Sequence, residues 1–283
     1  MAVIPLLIIV VAAAMMAVAA VALVRLISGR RGLPDARGLL WQLAGLVVGF
    51  SLCAAVGLLD GPRYRLILSL PALAGICWPL GLVAAERTRP RGQNGSIRLA
   101  GLVPRTPGRY AARWAYMSMR TSFLLAAVLA LAASALGSPT DSTQVSATAM
   151  DGFTRSYGPW PGWYYSVPAL IGLACGWAMT EWAIRTVVRR PPVATDPDAD
   201  GRTRAQSARV ALTAACLMAL PVVGALLLTM GAGLAHVSPS ASVHAIAWAM
   251  GVCGSVVLLA SAAAWLSALV SGGRAVVPRV VEP

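Results

Sequence analysis

The chain has 283 residues, 58% hydrophobic and 12% charged, a composition that excludes a soluble globular domain and fits a polytopic membrane protein. Its formal charge of +13 rests on 23 basic residues, all of them arginine. Without a lysine there is neither a P-loop nor a Schiff base to retinal or pyridoxal phosphate. The arginines sit in short linkers between apolar runs, where inner-side retention and anionic headgroups account for them, so no nucleic-acid partner is expected.

Residues 3–26 are apolar and long enough to span a hydrocarbon core of roughly 30 Å. Arg25, Arg30, Arg31 and Arg37 follow this run and no positive residue precedes it, which reads as a spanning helix with its N-terminus outside rather than a signal peptide. Gly32, Pro34 and Gly38 break the chain before a second span at 39–59, where Gly45 and Gly49 form a GxxxG pair that would let helix backbones approach closely. Asp60-Gly61-Pro62 makes an outer turn, and 64–85 returns across the membrane with Pro71 and Pro79 inside it.

Residues 86–120 read as a basic cytoplasmic loop with eight arginines against one acid, and its prolines and glycines forbid a continuous helix. Arg109, Arg113, Trp114 and the neighbouring aromatics predict an interfacial helix over 109–119 that rests on anionic headgroups. Within this loop Ser96-Ile97-Arg98-Leu99-Ala100-Gly101-Leu102, followed by Arg105 and Tyr110, resembles the inner loop of uncharacterised multi-pass membrane proteins from high-GC Gram-positive bacteria. The lack of lysine fits high-GC codon usage. The resemblance implies a multi-pass fold over most of the chain; that family carries no assigned activity, so no site residue transfers.

Residues 120–137 form the fourth expected span, and 138–162 an extracytoplasmic loop long enough to act as a lid or ligand site as readily as a linker. Trp160, Trp163 and the adjoining tyrosines suit a membrane-water interface, and 164–187 supplies the fifth span, closed by Arg185, Arg189 and Arg190. Glu181 is the one acid within a long apolar run, with Arg185 one turn on and Arg120 at the inner end of the fourth span as its expected partners. Gly172 and Gly176 lie roughly 140 to 180° around the helix from Glu181, which predicts packing on both faces and a central place in the bundle.

Residues 188–208 read as a solvated cytoplasmic loop. The alternation of Asp196, Asp198 and Asp200 lacks the distal acid of a calcium loop. Spans at 209–234 and 243–270 complete an all-α bundle of seven, with the C-terminus inside. Inner segments carry four, eight, six and two arginines in chain order, and outer segments only Arg63, Arg65 and Arg155. That distribution points to the cytoplasmic membrane with anionic lipid as the first partner.

Catalytic signatures of intramembrane proteases are missing, apart from a Glu181-to-Arg185 echo of one family's Glu-x-x-x-Arg segment that lacks its companion residues. Cys53, Cys77, Cys175, Cys216 and Cys253 all lie in apolar runs without metal or disulfide spacing, and His236 and His244 lack further ligands. No cofactor, metal or catalytic residue is expected. Two functions remain: a transport component, either a small permease or the membrane subunit of a complex energised by another chain, and a non-catalytic scaffold or sensor binding a partner protein or a second copy. Reporter fusions after Gly152 and after Asp198 are expected to report opposite sides of the membrane; a shared side would rule out the hairpin plan.

Overall fold

The computed structural model describes residues 66–88, 107–139, 141–148, 153–190, 197–238 and 240–271, with isolated helical positions between Trp41 and Ala55. It is mostly helical: α1 (Leu70–Thr88), the single turn α2 (Pro107–Tyr110), α3 (Arg113–Leu136), α4 (Trp163–Arg189), α5 (Pro197–Val237) and α6 (Ala241–Ser271). A two-stranded antiparallel hairpin, β1 (Val145–Thr148) and β2 (Thr154–Tyr157), joins α3 to α4.

Four helical segments among the described residues are long and apolar enough to cross a membrane: Arg113–Leu136, Trp163–Arg189, Asp200–Val237 and Ala241–Ala264. They answer to the last four of the seven expected spans. The span expected at 3–26 and most of 39–59 lie outside the described residues. The expected 64–85 is displaced, because Ile67–Ser69 winds as a 3-10 turn and α1 runs on to Thr88. Glu86 is thereby drawn from the expected basic loop into the last turn of a helix.

Two further boundaries differ from expectation. The interfacial helix expected over 109–119 is broken at Ala112, whose extended backbone separates α2 from α3, so residues 113–119 are the first turns of the long helix. Residues 197–208 are not a loop. Pro197 opens α5, where its missing N–H would have no intrahelical partner, and Asp198 and Asp200 follow where a helix start favours negative charge. α5 is 41 residues long, about 60 Å at 1.5 Å per residue, so it projects well beyond a 30 Å hydrocarbon core.

Among the described helices, burial places α5 at the centre. Of its spanning window 61% is buried, against 39% for α3 and for α4 and 11% for α6. The Trp163–Arg189 helix, expected at the centre if both its faces are packed, is less covered than α5 among the described helices. On α3, Met119, Phe123, Ala126, Ala130 and Ala133 repeat at alternating steps of four and three and present a narrow, mostly small face to the core. α6 meets α5 along a glycine seam: a Cβ added at Gly231 would lie 2.7 Å from the Ala247 carbonyl oxygen, and one at Gly254 2.8 Å from that of Gly224. Backbone atoms cannot yield as flexible side chains do, so these contacts admit only glycine.

In the loop expected at 138–162, the described residues 141–148 and 153–162 fold into a hairpin that packs on the bundle. Asp141 accepts hydrogen bonds from the Thr143 amide and hydroxyl at 2.8 and 2.6 Å, and the Thr143 side chain holds this carboxyl below its ordinary range. Beyond β2, Trp160 is fully buried among Ala133, Val145, Met230 and Val237. Its indole Nε1 donates to the Ala133 carbonyl at 2.7 Å, one of the four final carbonyls of α3 that have no partner within the helix. Trp160 is thus an internal wedge and not the headgroup anchor expected of it, because Gly233 and Gly137 leave room for its ring against α5 and α3. Trp160→Ala is expected to lower stability in detergent by about 3–5 kcal/mol, read as a fall in the thermal unfolding midpoint. The half-exposed Trp163, replaced in the same way, should change that midpoint little.

Candidate functional site

The densest chemistry among the described residues lies at the other end of α5, where four charged side chains are buried together. Glu86 comes from the last turn of α1, Arg190 caps α4, and Asp200 and Arg204 stand one turn apart at the start of α5. Their side chains are 0%, 4%, 10% and 2% exposed.

Arg190 pairs through Nη1 with Glu86 Oε2, and through Nη2 with Asp200 Oδ1 at 3.2 Å. Arg204 Nε donates to Asp200 Oδ2 at 2.7 Å, and the Ser207 hydroxyl donates to Glu86 Oε1 at 2.6 Å. All four carboxylate oxygens therefore accept a hydrogen bond, and two cations balance two anions. Arg204 then turns its remaining nitrogens on the end of α4: Nη1 donates to the carbonyls of Val188 at 2.7 Å and Val187 at 3.2 Å, and Nη2 to that of Arg190 at 2.9 Å. A cation here meets the negative end of the α4 dipole as well as its orphan carbonyls. The Tyr110 ring of α2 lies 5.8 Å from the Arg204 guanidinium carbon and closes the site.

This geometry binds α1, α4 and α5 into one unit. Its acceptors are occupied by side chains of the chain itself, so it is built to hold helices in register rather than to receive a substrate. Sequence reasoning treated Arg190 and Arg204 as retention charges and Asp200 as solvated. The spacing of Asp200 and Arg204 and the position of Glu86 as the one acid in its segment were the available signals.

The residues singled out from sequence are placed elsewhere. Glu181 is half-buried on α4, and Arg185 and Arg120 are exposed. Arg120 lies over the Tyr116 ring at 5.8 Å. No ion pair joins Glu181 to either arginine among the described residues. Gly172 and Gly176 are buried on the opposite side of α4, with Gly176 against the Met218 thioether of α5. Gly45 packs on the backbone of α1 at Cys77 and Gly81, and Gly49 is buried. Arg113, Trp114 and Trp163 are exposed, whereas the Arg109 side chain lies outside the described residues.

His236 and His244 turn to carbonyls of Ala232 and Ser240, and His236 stacks on Tyr157 at 4.4 Å. No group of three potential metal ligands occurs among the described residues. No protein-family model, curated protein or solved structure matches the chain.

Removing one partner from a buried ion pair strands the other charge, so Glu86→Gln and Arg204→Gln are each expected to cost about 3–5 kcal/mol of stability. Glu181→Gln, at a half-buried site without an ion pair, should cost clearly less. Thermal unfolding of the three variants in one detergent decides the matter: equal falls for Glu86→Gln and Glu181→Gln would show that the cluster has no special structural weight.

Proposed function

We propose that the chain is a transport component of the cytoplasmic membrane, acting as the membrane subunit of a complex whose energy source lies on another chain. The observation that carries this reading is the largely apolar middle of the described bundle, whose buried hydroxyls, Ser122 and Thr180, are turned back on carbonyls of their own helices. Between the ion cluster and Trp160, the described core is filled by Ala126 and Ala130 of α3, Ala169 and Leu173 of α4, and Leu212 to Leu226 of α5. A permease acting alone needs polar groups or interrupted helices near the bilayer midplane. Here the buried charges are gathered at one end and neutralise each other. The multi-pass composition and the distribution of arginine support placement in the cytoplasmic membrane.

A second reading, a non-catalytic scaffold or sensor, is favoured by the ordered hairpin at the far end, which exposes Phe153 at 72% beside β2. Purification of the full chain in gentle detergent, with quantitative mass spectrometry of what accompanies it, separates the two. A stoichiometric ATPase is the expected result. A stoichiometric regulator without an ATPase would establish the scaffold reading, and substrate flux by the chain alone in liposomes would overturn both.

A further inference from the structure

We propose that the open groove between α3 and α5 binds a single anionic phospholipid. The groove has a volume of about 460 Å³ and is lined by Trp114, Met117, Ser118, Thr121, Ser122 and Leu125 of α3 and by Leu220 of α5. Its chemistry changes along its length as a phospholipid's does. An indole stands at the first turn of α3, the hydroxyls of Ser118 and Thr121 follow, and Leu125 and Leu220 end it. From Trp114 to Leu125 the helix rises about 16 Å, close to the ~15 Å depth of one leaflet's hydrocarbon.

Charge selects the headgroup. Arg113 is exposed beside Trp114. On α5 the least covered stripe runs through Arg202, Gln206, Arg209, Thr213, Cys216 and Leu220, at alternating steps of four and three. The two helices run in the same direction, since Cys216 lies against Ser122 and Met230 shares a cluster with Ala133. Counting back seven residues from Cys216 and eight from Ser122 sets Arg209 level with Trp114. Neither Arg113 nor Arg209 takes part in an ion pair among the described residues. Two guanidiniums outside any ion pair thus stand, one on each helix, level with the indole end of the groove, where a phosphate would accept from both.

The occupant is a lipid because the groove opens on an apolar surface. Leu124, Val128 and Leu131 lie exposed along the same helix at 66%, 52% and 48%, so the mouth faces the surface that hydrocarbon covers. The inference rests on membrane insertion alone and is independent of any role in transport.

Native mass spectrometry of the full chain, released from detergent and titrated with dioleoyl phosphatidylglycerol or dioleoyl phosphatidylcholine, tests it. One phosphatidylglycerol adduct should form at lower lipid concentration than any phosphatidylcholine adduct. The double variant Arg113→Gln/Arg209→Gln should weaken that adduct on the order of tenfold, and Thr121→Trp, which fills the groove, should remove it. Arg189→Gln, an exposed arginine at the end of α4, should leave it unchanged. Melting midpoints check that each variant is folded, and the double variant, confined to exposed side chains, keeps the test valid if Thr121→Trp is not. Equal retention of the two lipids, an Arg189→Gln effect as large as that of the double variant, or an unaltered adduct in the double variant would each overturn the proposal.

Discussion

Burying an arginine is tolerable only where its charge is balanced and its donors are largely met, and that constraint organises this bundle. Arg204 meets it by joining a carboxylate of its own helix to the carbonyls that end α4. Arg190 must then find partners of its own, and it finds them in Asp200 and in Glu86 from α1. Each helix can reach its buried position only if the others are already there. The cluster therefore specifies an arrangement, whatever its net contribution to stability.

The far end solves a related problem with a neutral donor. A helix finishing in an apolar surround leaves carbonyls without partners; Trp160 serves Ala133 at the end of α3 much as Arg204 serves Val187 and Val188 at the end of α4. Neither donor belongs to the helix it caps: Trp160 packs against α5, and Arg204 is part of it. Between these two polar termini the packing depends on small residues, with the alanines of α3 and the glycines of the α5–α6 seam letting backbones approach. Among the described residues the fold is thus polar at its two ends and largely apolar between them.

Composition and apolar periodicity determined the helical class of this protein and the approximate positions of four helices long and apolar enough to cross a membrane. These are properties of short windows, legible because 18 or more apolar residues have few alternatives to a spanning helix. The start of α5 was not legible, since the acidic and basic residues of 197–208 read equally well as a solvated loop. Only contact with α1 and the end of α4 gives them something to bury against. Trp160 was misplaced for the same reason, because an interfacial anchor and an internal wedge share one side chain, and the glycine that admits its ring lies 73 residues away in the chain at Gly233. The pairing of Glu86 with Arg190 spans 104 residues. Pairing over such separations depends on which helix ends meet, and it was the tertiary structure that decided this.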